Sequence, residues 1–381
     1  MMVSGLVIGI ILIYFILIGS LIYGFDKIDA FKLQDLEAKT KFSVIIPFRN
    51  EAENLPQLLT SIAKLTYPKS HFEVILVNDD SEDDSIAVIE KLLNKSAFKT
   101  IRSSIKIITN KRTTNSPKKD AIKTAINTSQ FSWIVTTDAD CTLAKHWLYA
   151  LDESIQINKP NCVVAPVKYD GENSFFNRFQ TLDFLSLQGA TIGGFGIKHP
   201  FMCNGANFAY KKSIFINVDG FKGNDNMASG DDVFLLQKLL KYDSKQVIYL
   251  KSTQAIVKTK PVKNLELLIE QRLRWASKTA AYNNSFAKII GVIVLLANTV
   301  CIALIPLALL GWLNLRVVAA LIVIKLAIDF LLLFKSSRFF KQETLLLSYV
   351  FSSLLYPFFC VYIAIASLFK SYNWKGRTFK M

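Results

Sequence analysis

Residues 3–25 carry no charged side chain, and this apolar run limits the possible folds of the chain more than any other feature. A helix rises about 1.5 Å per residue, so a run of this length can cross the hydrocarbon core of a bilayer. A cleaved signal peptide would need a basic start, a shorter run and small residues at a cleavage site, and none of these precedes Asp26. We therefore expect residues 1–25 to form a retained N-terminal transmembrane anchor.

The last third of the chain is apolar again. Residues 289–313 and 344–369 are free of charge and long enough to span a bilayer. The segment between them, 317–334, is shorter and contains Lys325 and Asp329. Because residues four apart lie on the same side of a helix, these two can form an ion pair inside a helix bundle. Such a pair either marks a functional site or holds the helices together.

The chain therefore divides into four parts. Residues 26–287 are polar enough and long enough for one globular domain, which precedes about three transmembrane helices at 288–369 and a basic tail at 370–381. The formal net charge is +15, but no nucleic-acid recognition motif accompanies it. We attribute the charge to anionic lipid headgroups and to a phosphate-bearing substrate. The five cysteines have no CxxC spacing, which indicates free thiols and a cytosolic domain.

Within the 26–287 domain, short β-branched and apolar runs alternate with helical periodicity. The predicted strands lie at 44–46, 72–77 and 105–110, with a fourth from 132 to the aspartates, and the predicted helices lie at 55–65, 86–93 and 121–127. This alternation predicts an α/β fold with βαβ units and a mainly parallel sheet. No GxGxxG follows the first strand, which argues against a dinucleotide-binding fold.

Polar side chains follow the ends of the predicted strands. Four of them are Asn50, Asp79, Lys118 (in a predicted loop at 111–120) and Asp138. In open parallel sheets ligands bind at the carboxyl ends of the strands, so we expect these side chains at one edge. Asp138 and Asp140 are two residues apart, so both can point to the same side and bind one cation. Hard carboxylate oxygens suit Mg²⁺ or Mn²⁺, and Mg²⁺ also takes ligands from substrate phosphates.

Five short motifs occur in the order found in a known enzyme family. They read SVIIPFRNE at 43–51, VNDDSEDDS at 77–85, TTDADC at 136–141, SGDDVFLL at 229–236 and QRLRW at 271–275. Together they resemble the family 2 glycosyltransferases, which are inverting enzymes that use nucleotide-sugar donors and have the GT-A fold. The last motif, of the form QxxRW, is similar to that of the membrane-embedded branch, which includes cellulose synthases, hyaluronan synthases and ceramide glucosyltransferases.

The resemblance implies a nucleotide-sugar site at the ends of the first strands. The residues implied to bind the nucleotide sugar are Pro47, Asn50, Glu51, Asp79, Lys118, Lys119 and Asp138. The first three would line the nucleoside pocket, and Asp79 would accept a hydrogen bond from the base. Many relatives have a glycine before the lysine that contacts the diphosphate. This chain has Pro117 there, so either Lys118 or Lys119 fits that role. Asp140, with Asp138 beside it, would hold the metal ion.

The resemblance also implies a catalytic base and an acceptor side. Asp232 would take the proton of the acceptor hydroxyl, with Asp231 as its neighbour. The residues implied at the diphosphate and acceptor end are Gln271, Arg272, Arg274, Trp275, Asn204 and Gly205. The glycines of 189–212 predict a mobile loop, in a region that faces the acceptor in relatives.

Several of these segments also have a structural interpretation. Ser229 can cap a helix whose first turn carries acids that the helix dipole favours, and such a helix start is compatible with catalysis by Asp232. Trp275 can be an interfacial aromatic residue beside the bilayer. Arg272 and Arg274 can be charges that face lipid headgroups.

The predicted activity is transfer of a sugar from a nucleotide donor, expected to be a UDP-sugar, to a hydroxyl group at the membrane. A site held at the bilayer suits a lipid headgroup or a growing glycan as acceptor. Processive relatives use more helices than the roughly four segments found here, so we expect a lipid. A processive polysaccharide synthase, and a non-catalytic membrane protein that retains the fold, remain as alternatives.

Because the donors of such relatives are cytosolic, we expect an integral protein of the bacterial inner (cytoplasmic) membrane with a cytosolic catalytic domain. One span before the domain and three after it would place the basic tail outside, against the positive-inside tendency. Either that tendency is overridden, or one segment, 317–334 being the first choice, is re-entrant or interfacial.

Overall fold

The computed structural model describes residues 2–224, 227, 229–278 and 284–379, and its contacts divide the chain into two compact units. The helical unit comprises Met1–Ile28, Gly171–Phe201 and Pro261–Met381, and the sheet unit comprises Asp29–Asp170 and Met202–Lys260. The predicted boundaries follow chain order, whereas three stretches of the predicted central domain (26–28, 171–201 and 261–287) group with the apolar helices. Residues 380 and 381 of the predicted basic tail lie outside the described residues.

The sheet unit is built on a seven-stranded sheet with the strand order β3-β2-β1-β4-β7-β5-β8. Its strands are β1 (Phe42–Phe48), β2 (Phe72–Asn78), β3 (Ile105–Thr109), β4 (Trp133–Thr136), β5 (Cys162–Val164), β7 (Phe208–Lys211) and β8 (Val247–Tyr249). Strands β6 (Val167–Tyr169) and β9 (Val257–Thr259) form a separate parallel pair. The predicted mainly parallel sheet is confirmed, and the four predicted strands agree with β1 to β4.

The centre of the sheet explains the continuous apolar runs in the sequence. Strand β1 pairs in parallel with β2 and β4, so that Val44 lies opposite Val74 and Val135, all fully buried. A strand that is covered on both faces needs apolar residues at successive positions, unlike a strand with one wet face. Among the described strands of this seven-stranded sheet, only β7 runs antiparallel to its neighbours, which are β4 and β5.

Helices of the sheet unit connect these strands. They are α2 (Leu55–Ala63), α3 (Ser85–Leu93), α4 (Pro117–Thr128), α5 (Trp147–Asn158), α7 (Lys212–Asn217) and α8 (Asp231–Asp243). The predicted loop at 111–120 is wrong at its end, because α4 already begins at Pro117. Proline is favoured in the first turn, where its missing N–H has no intrahelical partner in any case. Lys118 and Lys119 are therefore held on a helix.

The helical unit contains α1 (Met2–Lys27), α6 (Phe175–Gly196), α9 (Leu265–Ala276), α10 (Ser285–Leu309), α11 (Leu315–Phe340) and α12 (Tyr349–Ala366). Among the described residues, four helical segments are long and apolar enough to cross a bilayer: α1, α10, α11 and Glu343–Ala366. Helix α11 has 26 residues and is longer than the predicted 317–334. Asn314 caps the start of α11. The last turns of the helix carry basic side chains, so a prediction from hydropathy ends the helix too early.

The predicted mobile loop at 189–212 is wrong for its first part, because residues 189–196 belong to α6. The glycines there serve helix packing. A side chain on Gly193 would collide with the carbonyl oxygen of Leu21, and one on Gly24 would collide with the carbonyl oxygen of Gly193. Small residues at such a crossing let two helix backbones approach closely.

The predicted ion pair within the apolar helices is confirmed. Lys325 Nζ lies 3.0 Å from Asp329 Oδ2 on α11, and Tyr14 of α1 donates its hydroxyl to Asp329 Oδ1 at 2.6 Å. The lysine is buried. Each charge is satisfied within the helical unit, which makes the pair a link between α1 and α11.

Candidate active site

The acid pair that follows β4 lies at the carboxyl edge of the sheet. Strand β4 ends at Thr136, and Asp138 and Asp140 follow within four residues, both partly exposed. The side chain of Asp138 is 38% exposed, and its Oδ1 lies 2.8 Å from Nζ of Lys118, on the first turn of α4. This carboxylate is thus engaged by a cation and still open to solvent.

A second acid pair begins α8 and meets the same lysine. Gly230 adopts a left-handed conformation (φ 86°) immediately before Asp231 and Asp232, which form the first turn. Nζ of Lys118 lies 3.3 Å from Oδ2 of Asp231. One ammonium group therefore bridges Asp138 and Asp231. We call Lys118, Asp138, Asp231 and the adjacent Asp232 the acid cluster.

The charge of Lys118 follows from its neighbours. Burial alone would lower the pKa of this amine, but the negative charges of Asp138 and Asp231, with a smaller contribution from Asp232, raise the pKa above its ordinary value. Lys118 therefore stays positively charged throughout the neutral and moderately alkaline range.

The adjacent lysine serves a different contact. Lys119 is buried, and its Nζ donates to the carbonyl oxygens of Asn224 at 2.5 Å and Met227 at 2.9 Å. It also lies 5.3 Å from the ring centroid of Phe234 on α8. Two lysines were predicted for the diphosphate. The structure places Lys118 in the acid cluster, whereas Lys119 binds backbone carbonyl groups of the segment that precedes α8.

The two glycine-region residues predicted for the acceptor lie beside the acid cluster. The N–H of Gly205 donates to Oδ2 of Asp232 at 3.1 Å, and its carbonyl oxygen accepts from Oγ1 of Thr136 at 2.7 Å. A Cβ at this glycine would lie 3.0 Å from Oδ2 of Asp231, so a side chain there would need the Asp231 carboxylate to shift by a few tenths of an ångström. Asn204 uses its side-chain oxygen to accept from the N–H of Ala206, which fixes the turn.

The carboxylate predicted to bind the base is already oriented by two polar neighbours. Oδ1 of Asp79 accepts from Nε of Arg112 and from Nδ2 of Asn110, both at 2.7 Å. The hydrogen bond to Asp79 and the negative charges of Asp79 and Asp80 raise the pKa of Arg112. Neither residue is among those predicted from the sequence, although both lie within three residues of the end of β3 and could have been found by the rule that identified Asp79.

The predicted nucleoside loop after β1 has a strained turn. Asn50 has a positive φ of 53°, and its side-chain oxygen accepts from the N–H of Glu82 at 2.8 Å. Asparagine tolerates this conformation better than most residues. Glu51 is buried and accepts from the side chain of Asn54 at 2.6 Å, while Pro47 lies within β1 and is partly buried.

The residues of the QxxRW motif lie on α9 in the helical unit. Gln271, Arg274 and Trp275 are partly exposed there, whereas Arg272 is buried and binds Asp183 of α6. Arg272 therefore already has an anionic partner within its own unit.

The donor chemistry of the acid pair after β4 decides whether it can hold a metal ion. Among the described residues, no group of three or more histidine, cysteine, aspartate or glutamate side chains is arranged to hold a metal ion. Two aspartates, Asp138 and Asp140, offer hard oxygen donors at one strand end. One or two carboxylates are what Mg²⁺ uses when the remaining ligands come from water and substrate phosphates. The donor set fits that kind of shared site.

A shallow cleft of about 500 Å³ lies elsewhere, before β1 and β4, and is lined by residues 39–41 and 130–133. These positions are at the amino ends of the strands, the edge opposite to the acid cluster. The cleft contains none of the predicted site residues, and the candidate site is identified by the position of the acids at the carboxyl edge.

Two family models match the chain. Glycosyl transferase family 2 matches residues 43–219, and Glycosyl transferase family group 2 matches residues 133–369. Poly(ribitol-phosphate) beta-N-acetylglucosaminyltransferase TarS of Staphylococcus aureus is 32% identical over 133 residues, which are 35% of this chain and 22% of that protein. Poly-beta-1,6-N-acetyl-D-glucosamine synthase of Staphylococcus epidermidis is 23% identical over 278 residues, which are 69% of this chain and 61% of that protein. The chain thus spans less than two thirds of either relative.

A solved structure confirms the predicted fold. The mannosyltransferase PcManGT from Pyrobaculum calidifontis, in complex with GDP-Man and Mn²⁺, aligns with a TM-score of 0.58 at 17% identity. The alignment covers 92% of this chain and 96% of that one.

Proposed function

This chain belongs to the family 2 glycosyltransferases, and we propose that it transfers a sugar from a nucleoside-diphosphate donor to a hydroxyl group of a membrane lipid, inverting the anomeric carbon. One observation carries the proposal. Lys118 contacts both the acid pair after β4 and the acid pair that begins α8, so groups about 90 residues apart in sequence face one point. A transferase needs this convergence, because the donor phosphates and the acceptor hydroxyl must meet.

Asp232 is the proposed catalytic base. An alcohol is a poor nucleophile near neutral pH, and a carboxylate within hydrogen-bond reach can take its proton during attack. The N–H of Gly205 donates to Oδ2 of Asp232, and the N–H of Val233 donates to its Oδ1 at 2.8 Å. These two contacts orient the carboxylate. A single displacement with one base inverts the anomeric centre, which is the stereochemistry proposed here.

Lys118 has the proposed role of neutralising the diphosphate. Breaking the bond to the sugar leaves negative charge on the leaving phosphate, and a permanently charged ammonium stabilises that charge where it develops. Its raised pKa supports this role, since the group keeps its positive charge at neutral pH. Asp138 and Asp140 would hold Mg²⁺ or Mn²⁺, which when bound supplies a second positive charge at the diphosphate.

The nucleoside is proposed to lie against Pro47, Asn50 and Glu51, with Asp79 at the base. Arg112 and Asn110 hold the Asp79 carboxylate in a fixed orientation. We propose a UDP-sugar as donor, with UDP-N-acetylglucosamine tested first because the names of two relatives specify N-acetylglucosamine. The structural neighbour with GDP-Man and Mn²⁺ supports the metal and makes GDP-mannose the second choice.

The acceptor is proposed to be a lipid because four helices of the chain are long and apolar enough to span a bilayer. The proposed location is the bacterial inner membrane with the catalytic domain in the cytosol. A second candidate function is synthesis of a polysaccharide, which the similarity to the poly-N-acetylglucosamine synthase over 69% of this chain favours.

The test is a transfer assay on membranes that contain the full chain. Membranes are incubated with radiolabelled UDP-sugars and GDP-sugars, each with Mg²⁺ or Mn²⁺, and the product is partitioned between organic solvent and aqueous phase. Membranes with Asp232→Asn are the control, and membranes with Asp219→Asn match it by removing an exposed acid of the same unit.

We expect label in the organic phase with one donor, and incorporation at least about a hundredfold slower with Asp232→Asn. Label in a high-mass product instead would select the polysaccharide synthase. No incorporation from any donor, together with an unaltered phenotype of cells that carry Asp140→Asn and Asp232→Asn, would overturn the proposal in favour of a non-catalytic protein.

A further inference from the structure

The second residue of the QRLRW motif is paired inside the helical unit. Nε of Arg272 on α9 lies 2.7 Å from Oδ2 of Asp183 on α6, and the two side chains are only 7% and 6% exposed. A buried ion pair holds its geometry strongly, since removal of one partner leaves the other charge without compensation. Nη1 of Arg272 also donates to Oε1 of Gln271, so Asp183 holds the Nε side of a guanidinium that Gln271 binds on another side.

The orientation of this guanidinium determines where the motif's tryptophan lies. The guanidinium carbon of Arg272 lies 4.2 Å from the ring centroid of Trp275, a cation–π contact one helical turn along α9. Phe184, the neighbour of Asp183 on α6, places its ring centroid 6.2 Å from the same indole. Two adjacent residues of α6 thus fix Trp275, one through Arg272 and one directly.

Trp275 nevertheless remains partly exposed. A planar guanidinium can stack on an indole and donate to a carboxylate at the same time, which a lysine in its place could not do. The arrangement therefore holds one side of the indole against α6 and Arg272 while leaving part of it accessible. An accessible flat apolar ring is suited to a sugar face or to the apolar part of a lipid.

We propose that Asp183 is a positioning residue, which fixes the accessible indole of Trp275 through Arg272 so that it is preformed for the acceptor. The proposal rests on the proposed function and on the place at the acceptor end that the family resemblance implies for Trp275. Arg272 in this view acts through Trp275 and makes no contact with the diphosphate.

The experiment observes the indole directly. The full chain is labelled with 5-fluorotryptophan in detergent or nanodiscs, which gives five ¹⁹F resonances for the five tryptophans, and Trp275→Phe assigns one of them. We expect Asp183→Asn to shift or broaden the Trp275 resonance and leave the others unchanged. Asp183→Glu, which keeps the carboxylate, should restore most of the parent spectrum.

The kinetic readout separates positioning from general damage. With Asp183→Asn, KM for the acceptor should rise about tenfold, because a misplaced contact group weakens productive binding, while KM for the donor stays unchanged. The matched control is Asp26→Asn, which removes a carboxylate that pairs with Lys335 at 2.9 Å in the same unit but is 57% exposed. It should alter neither the Trp275 resonance nor the acceptor KM.

A second variant covers the case in which Asp183→Asn does not fold. Asp183→Leu with Arg272→Met removes both charges together, a change that buried ion pairs often tolerate, and it should also move the Trp275 resonance. A folded variant of either kind whose Trp275 resonance coincides with that of the parent overturns the proposal, as does an unchanged acceptor KM. If the parent chain transfers no sugar but Asp183→Asn still moves the Trp275 resonance, the proposed function is overturned and the link between Asp183 and Trp275 is supported.

Discussion

The two units hold their charged side chains in different ways. In the sheet unit, Lys118 joins Asp138 and Asp231 in a cluster whose first carboxylate remains open to solvent. In the helical unit, Lys325 and Asp329 form a pair in which the lysine is buried and the aspartate also binds a tyrosine. A charged side chain that is partly exposed to solvent can still bind a ligand. A charged side chain that is buried against its partners contributes to stability instead. The open cluster should therefore carry catalysis, and the closed pair should carry stability.

The largest effect should come from the proposed base. Asp232→Asn removes the proton acceptor and keeps the shape of the side chain, so kcat should fall by about 10²–10⁴. Donor binding, measured by calorimetry, should change little. If the variant retains more than a tenth of the parent kcat, Asp232 is not the catalytic base, and the contrast between a catalytic cluster and a stabilising pair fails.

The next largest effect should come from the acid pair after β4. Asp140→Asn weakens the group that stabilises charge on the leaving phosphate, so kcat/KM should fall by about 10²–10³. Higher Mn²⁺ concentration should restore part of the loss, which titration of the metal at fixed donor would measure. Asp170→Asn, which breaks an exposed pair with Lys258, is the control and should leave the metal requirement unchanged.

The closed pair of α11 should affect stability and leave donor binding unchanged. Asp329→Asn leaves the buried ammonium of Lys325 without its partner, which should cost about 3–5 kcal/mol and lower the thermal midpoint of the detergent-solubilised protein. Replacing both residues, as Lys325→Met with Asp329→Leu, should recover most of that loss. A double variant as unstable as the single one would mean that the pair is more than a link between helices.

The smallest effect should come from a closed group at the other edge of the sheet. Glu73 on β2 accepts from Ser43 at 2.7 Å, from the N–H of Gln130 at 2.6 Å and from Lys106 at 2.8 Å. Burial alone would raise the pKa of Glu73, but these donors lower it. Its stabilisation is therefore fully present above the unfolded pKa of about 4.3 and is lost as the pH falls through the lower, folded-state pKa.

Glu73→Gln should accordingly lower stability by about 1–2 kcal/mol at pH 7 and by progressively less in acid. Thermal melts of parent and variant at several values of pH between 7 and 3 would measure the difference. Sugar transfer by the variant should stay near the parent level. A difference in stability that grows towards low pH would contradict the sign derived from the donors.

Local pattern was sufficient to predict strands β1 to β4 of the seven-stranded sheet but not β5, β7 and β8. Strands β1, β2 and β4 are largely apolar at successive positions because both faces are covered, and the acids after β4 follow from the end of that run. The start of α4 at Pro117 could also have been predicted, since proline favours a first turn. Because residues 111–120 were predicted as a loop, the sequence did not indicate that Lys118 and Lys119 point in different directions, which follows from their positions on a helix.

The helical unit was harder to predict because its signals depend on distant residues. The glycines of α6 suggested a loop, yet Gly193 is needed for the close approach of α1, which lies far away in sequence. The same holds for Asp183, whose partner Arg272 is 89 positions later. No periodicity or motif marks such a pair, and only the packed structure brings it together.

The most direct test of the account is Mn²⁺ binding observed by electron paramagnetic resonance in the presence of UDP. We predict about one bound Mn²⁺ per chain in the parent and in Asp232→Asn, and a marked loss of binding in the double variant Asp138→Asn with Asp140→Asn. If the double variant binds Mn²⁺ as tightly as the parent, the acid pair after β4 does not hold the cation at the diphosphate, and the account fails.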